Sequence, residues 1–142
     1  KMPDVFELVW EEFPEDPLDF TWDVKVHMLM PNQYPCIPNW HFDNVPRVNN
    51  EQDWGNVKTH LPMYLWISGE PLTEFRARGK VRAGEWRRFT QEDEHRGTMS
   101  NQFTWRGFIR ATHKDILPAN PSGTNVLRRH SQVYLDAKNF SW

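Results

Sequence analysis

The segment Asn39-Trp40-His41-Phe42-Asp43-Asn44 carries the residue types best suited to chemistry in this chain. In an extended segment successive side chains alternate between two faces, so His41 and Asp43 share one side. There they can offer an imidazole nitrogen and a carboxylate oxygen to one metal ion. A second histidine from another strand would complete a facial set of three ligands. Such a set leaves positions of an octahedral ion open for a co-substrate and dioxygen, which favours iron(II) or manganese over a closed structural zinc site. The competing reading is that His41 and Asp43 hydrogen-bond each other or cap a turn before Asn44.

The elements that must position these groups read as short strands. Trp22, Val24, Val26, Met28 and Met30 alternate with Thr21, Asp23, Lys25 and His27, the period of a half-buried strand, and Pro31-Asn32 stops it. Gln33 to Pro38 contains two prolines and is a loop or an edge. The polar stretch from Arg47 to Thr59, with Asn49-Asn50 and Trp54-Gly55, predicts a surface loop able to cover a site mouth. Leu61 to Ile67 is apolar on both parities, as in a strand covered on both faces. Leu72 to Arg78 and Lys80 to Phe89 follow as strands meeting near Gly79, and the charged run Thr90 to Gly97 predicts one helical turn or a loop. Phe103, Trp105, Gly107, Ile109, Ala111 and His113 share a parity, so His113 ends an apolar face. After a turn at Pro118 to Gly123, Arg129 and Ser131 keep step with Leu127, Val133 and Leu135.

Composition supports a mainly β fold. Eleven Pro and seven Gly interrupt nearly every potential helix, and eight Trp, nine Phe and three Tyr must supply much of the buried area. The 142 residues suit one domain, 1–142. No apolar run approaches the roughly 18 to 20 residues that span a bilayer, and Lys1-Met2-Pro3-Asp4 lacks a signal-peptide hydrophobic region, so a soluble, cytoplasmic protein without membrane contact is expected. The single cysteine, Cys36, excludes an internal disulfide and a cysteine-rich zinc site. Between Pro35 and Pro38 it also lacks the helix N-terminus that would activate it as a nucleophile. A Gly-rich phosphate loop, a His-Glu-x-x-His helix and a Gly-x-Ser-x-Gly elbow are all absent from the sequence.

Charge is uneven despite a net −2: eight acids lie between residues 4 and 23, and six bases between 76 and 88. Arg76, Arg78, Lys80 and Arg82 share a parity and would form a basic stripe on a strand. A solvated face is the ordinary explanation of such a stripe, and a nucleic acid or other polyanion is the functional one.

His41-Phe42-Asp43, then His113, then Arg129-His130-Ser131 resembles the signature of the iron(II)- and 2-oxoglutarate-dependent oxygenases, over roughly residues 20 to 136. The resemblance implies a double-stranded β-helix, or jelly roll, with few short helices. It implies iron held by His41, Asp43 and His113, and 2-oxoglutarate as co-substrate. The far carboxylate of 2-oxoglutarate would be gripped by Arg129 with Ser131 donating beside it, a fit for the fork of a guanidinium. Among the remaining histidines His113 ranks above His95 and His60, because its strand parity would aim it into the barrel. The spacing from His113 to Arg129 departs from the family pattern and makes Pro118 to Gly123 an insertion.

On this reading the chain hydroxylates a small-molecule or polymer-borne substrate, chosen by the loop Arg47 to Thr59 and by Trp40, Trp54 and Trp66. Two other readings stand beside it. One is a cupin-like metal protein that does not use 2-oxoglutarate. The other is a non-catalytic jelly-roll binding or viral structural module, in which the tryptophans serve as core or as stacking faces.

Overall fold

The computed structural model describes residues 9–117 and the backbone of 127–129. The fold is mainly β, with several sheets, mostly antiparallel, and little helix. A helical turn at 9–11 and a 3-10 turn, Pro17–Asp19, lead into β1, Phe20–Leu29. Pro17 opens the 3-10 turn, where its missing N–H costs nothing, and the Asp16 carboxylate accepts from the Leu18 amide. Strand β1 stops before Pro31, and Asn32 turns the chain with φ of 71°.

The strands that follow are β2, Arg47–Val48, β3, Glu51–Gln52, and β4, Met63–Ile67. Then come β5, Thr73–Phe75, β6, Gly79–Lys80, β7, Arg87–Phe89, and β8, His95–Gly97. The chain continues through β9, Thr104–His113, to β10, Leu127–Arg129. Five strands form the main sheet in the order β10-β1-β9-β4-β7, with β1 and β10 parallel. A smaller sheet has the order β6-β5-β8, and β2-β3 is a separate hairpin.

Several sequence expectations change here. The segment from Arg47 to Thr59 is not all loop: Asn49 and Asn50 both take positive φ, at 52° and 64°, and close a two-residue hairpin whose twist suits the flanking strands. Residues 76–78 form a turn between β5 and β6, so Arg76, Arg78, Lys80 and Arg82 do not line one strand. The run Thr90 to Gly97 ends in β8, because Glu94 and Arg96 reach outward to Arg76 and Glu74 while His95 and Gly97 turn inward. That alternation has a strand's period, hidden in a segment that looks uniformly polar.

The two faces of the main sheet differ. One carries Phe20, Trp22, Tyr64, Ile109 and Ala111 against Val9 and Phe13. Phe13 sits at the centre of this layer, with ring centroids about 5 Å from Phe20, Trp22, Tyr64 and Trp86, mostly edge-to-face. The indole of Trp86 donates to the Val9 carbonyl at 2.9 Å and ties the N-terminal segment down. The opposite face carries Met63, Leu65, Ile67 and Phe89, packed with Phe75 and Val81 of the smaller-sheet region.

On β1 and β9 that second face is polar yet buried, so β1 is more deeply covered than the half-buried strand its alternation suggests. Thr21, Asp23, Lys25 and His27 are buried, as are Arg106 and Thr112, whereas Met28 is 41% exposed and Trp105 68% exposed. Antiparallel register sets Thr21 against Thr112, Asp23 against Arg110, Lys25 against Phe108 and His27 against Arg106. A polar ladder thus runs along the inside. No helix among the described residues is long and apolar enough to cross a membrane.

Candidate metal centre

His41 lies outside the named strands but pairs with β8 through an antiparallel bridge to His95. The two residues exchange both backbone hydrogen bonds, each 2.9 Å, and the Gly97 amide donates to Ile37 at 2.8 Å. This pairing needs a glycine on β8: a Cβ at Gly97 would stand 2.7 Å from the Cys36 carbonyl oxygen. Directly opposed residues send their side chains to one face, so the two imidazoles meet, with ring centroids 4.4 Å apart. Asp43, two residues beyond His41, joins them. One ligand atom from each of His41, Asp43 and His95 lies within 4.8 Å of the others.

Both histidines are oriented in the same way. His41 Nδ1 is 2.8 Å from the Asn39 carbonyl and His95 Nδ1 is 2.9 Å from the Asp93 carbonyl, in each case two residues upstream. A carbonyl only accepts, so Nδ1 carries a proton on both rings and Nε2 faces the cluster, where it donates to Asp43 when His95 is protonated and is the atom free to ligate once that proton is lost. His41 Nε2 lies 3.6 Å from Asp43 Oδ1, and His95 Nε2 lies 3.3 Å from Asp43 Oδ2. Fixing the far nitrogen on a backbone carbonyl is how ligating imidazoles are commonly held. The segment after Asp43 is clamped by Gln91, whose amide donates to the Asn44 carbonyl and accepts from the Lys58 amide, both at 2.7 Å.

Arg110 completes the electrostatics. One terminal nitrogen donates to Asp43 Oδ2 at 2.8 Å and the other to Asp23 Oδ2 at 3.0 Å, so a single guanidinium joins two carboxylates. Burial alone would raise the Asp43 pKa, but the charges of His95 and Arg110 and a hydrogen bond from His95 hold it well below the usual carboxylate range. Burial, and then the neighbouring His95, push His41 down. Burial works against protonation of His95 too, yet the Asp43 charge and hydrogen bond outweigh it and raise its pKa.

The cluster opens on a pocket of about 180 Å³ between the two sheets. Asp23, Lys25, Leu65, Phe89, Phe108 and Arg110 line it from the main sheet, and Thr73 and His95 from the smaller one.

The second histidine of the cluster is therefore His95 and not His113. His113 shares a face with Ile109 and Ala111, meets Phe20 edge-on at 5.5 Å and lies 3.8 Å from the Asp115 carboxylate. Its parity places it on the apolar layer, on the other side of the sheet from Arg110. Trp66 is corrected for the same reason: it packs against the Phe13 layer, while its neighbour Leu65 faces the pocket. The guanidinium groups of Arg76 and Arg96 each lie 4.4 Å from the Trp40 ring and brace the segment that carries His41. Trp54 is 41% exposed and meets Phe42 edge-on at 4.7 Å.

In backbone register Arg128 stands opposite Asp23 and Arg129 opposite Val24. The side chain of Arg129, and all of Ser131, lie outside the described residues. Of the basic residues 76 to 82, Arg76 pairs with Glu94, Arg78 lies near Asp93 and Arg82 near Glu85. Sequence reasoning missed Arg110 and Lys25; their only signal was a shared parity with Asp23 and Phe108 on two strands whose pairing no periodicity reveals.

Two imidazole nitrogens and one carboxylate oxygen on one wall of a pocket can hold a divalent ion from one side and leave the pocket side for other ligands. Comparisons with protein-family models, with curated proteins and with solved structures return no match, so the functional reading rests on this geometry.

Proposed function

We propose that this chain is a non-haem iron(II)- and 2-oxoglutarate-dependent oxygenase on a double-stranded β-helix, with the ion held by His41, Asp43 and His95. The observation that carries the reading is the pair of Nε2 atoms facing one carboxylate, both imidazoles locked through Nδ1, on the wall of a pocket between two sheets. Iron(II) and 2-oxoglutarate supply, when bound, the activation of dioxygen needed to hydroxylate a substrate. The chain's own part is ligation and exclusion of water. Asp43 presents Oδ1 toward His41 while Arg110 fixes the carboxylate's rotation through Oδ2. Leu65, Phe89 and Phe108 give the pocket apolar walls. Trp54, beside Phe42, is the proposed substrate contact among the three tryptophans.

One observation favours a second reading. Asp43 Oδ2 already accepts from Arg110 and faces His95, a charge network that a binding module could keep without an ion. The deciding experiment is anaerobic titration of the protein with iron(II) and then 2-oxoglutarate, followed by the metal-to-ligand absorption band and by succinate release in air. Stoichiometric iron and a saturable band are expected. Iron without the band points to the cupin-like alternative, and neither iron nor band sinks the enzymatic reading.

A further inference from the structure

Beyond the metal cluster the inner polar face of β1 and β9 continues, and its chemistry changes sign. Strand geometry carries Lys25 about 7 Å and His27 about 13 Å along β1 from Asp23. Asp23 and Asp43 are both engaged by Arg110, so the cations beyond them have no carboxylate of their own among the described contacts.

Lys25 is 8% exposed and donates to the Pro35 carbonyl at 2.6 Å. Arg106 is 1% exposed; one terminal nitrogen donates to the Thr73 hydroxyl at 2.6 Å, while Nε and Nη1 have no hydrogen-bond partner among the described residues. His27, directly across from Arg106 in register and 7% exposed, has no partner for either ring nitrogen. Two buried cations held by neutral oxygens and, for Arg106, by the face of the Phe108 ring at 5.2 Å, beside an orphaned imidazole, are costly unless something negative completes them. Lys25 and Thr73 line the metal pocket, so this region adjoins it.

We infer that Lys25, His27, Thr73 and Arg106 form an oxyanion-binding subsite next to the pocket, reached past Lys25 and Thr73 on its wall, which takes a carboxylate or a tetrahedral anion and draws a proton onto His27 as it fills. The subsite does not depend on the oxygenase reading, since its residues are separate from the three proposed ligands. The Arg106 guanidinium offers Nε and Nη1, Lys25 offers its ammonium, and an imidazolium at His27 would offer a further donor. Burial and the positive charges of Lys25 and Arg106 push the imidazole of His27 down to about 4, so it is neutral near pH 7. Burial likewise lowers Lys25 to about 8, opposed only by the charge Cys36 would carry as a thiolate, with Arg106 and Arg110 adding to the fall. The Cys36 thiol is itself pushed up by burial and stays neutral. An anion beside these groups reverses the local field, and both basic groups bind protons more tightly.

The test uses the metal-free full chain with sulfate as the probe, because sulfate does not itself titrate in the range of interest. Calorimetric titrations in buffers of different ionisation enthalpy count the protons taken up. Expected are saturable sulfate binding, proton uptake between about pH 4 and the ordinary histidine value of 6.5, and tighter binding at pH 5 than at pH 7. His27→Gln should abolish that uptake and flatten the rise in affinity from pH 7 to pH 5. Arg106→Met should weaken binding by at least about 30-fold. Should Arg106→Met not fold, Lys25→Met serves in its place, with the same direction expected. Glutarate in place of sulfate asks which anion shape the subsite prefers, and tighter binding of either supports it. Absence of sulfate and glutarate binding in the parent, undiminished binding in the Arg106 or Lys25 variant, or unchanged proton uptake in His27→Gln would each overturn the inference. Iron binding measured separately on the same protein keeps this outcome distinct from the fate of the oxygenase proposal.

Discussion

His41 and His95 stand directly opposite one another as a hydrogen-bonded antiparallel pair, although 54 positions separate them in the chain. Gly97, two residues further along β8, lets the Cys36 carbonyl approach to where a side chain would otherwise stand. Gly97→Ala should push the 36–41 segment off β8 and spoil the opposition of the imidazoles. A fall in iron affinity of about 10- to 100-fold is expected, the range seen when a ligand's support is lost. Equilibrium dialysis measures it, and unchanged affinity would mean the segment yields without disturbing the cluster.

His95 and His113 give a clean contrast. His95→Gln should lose most bound iron, because two ligands cannot hold the ion as three do. His113→Gln should bind iron like the parent, since His113 lies on the opposite face of the sheet. Metal content after desalting decides between them, and the reverse pattern would restore His113 as a ligand.

Arg110 bridges Asp23 and Asp43 from a largely buried position. Arg110→Met removes the guanidinium that joins them and leaves two carboxylates without that partner, an effect of about 3 to 5 kcal/mol in comparable buried pairs. Urea unfolding at pH 7 measures the loss. A change under about 1 kcal/mol would show that solvent already screens the network.

The pH dependence of stability has a definite sign at His27. Its folded pKa is about 4 and its ordinary value is 6.5, so unfolding takes up a proton between those limits and stability falls as the solution is acidified through that window. The contribution is at most about 3 kcal/mol. His95, whose folded pKa is raised, acts in the opposite sense: its contribution is present below the ordinary value and is lost as pH rises through the raised one. The readout is therefore a difference. Between pH 7 and pH 4.5, His27→Gln should lose less stability than the parent. Parallel curves would place His27 in a more solvated setting than the one described.

Phe13 joins the N-terminal segment to the main sheet through four aromatic neighbours. Phe13→Ala should cost about 3 to 5 kcal/mol, the range for a buried aromatic truncated to Ala. Thermal unfolding would register it as a clear drop in Tm, with the His41, Asp43 and His95 cluster itself intact because it lies across the sheet.

Sequence alone determined the β class, the stop at Pro31-Asn32, a buried strand within Leu61 to Ile67, which forms over Met63–Ile67, and the shared face of His41 and Asp43. Each of these is a local matter of backbone chemistry or of a two-residue period. Tertiary structure decided the rest. Periodicity separates the two faces of a strand but does not say what covers each, and a polar face that lines an internal pocket has the same spelling as one that meets water. That is why Asp23, Lys25, His27 and Arg106 are inside while Met28 and Trp105 are exposed. It is also why the inward-facing histidine came from the charged run ending in β8: Glu94 and Arg96 spend their charges on partners in other segments, and only the pairing of β8 with β5 and with His41 shows that His95 alternates between them.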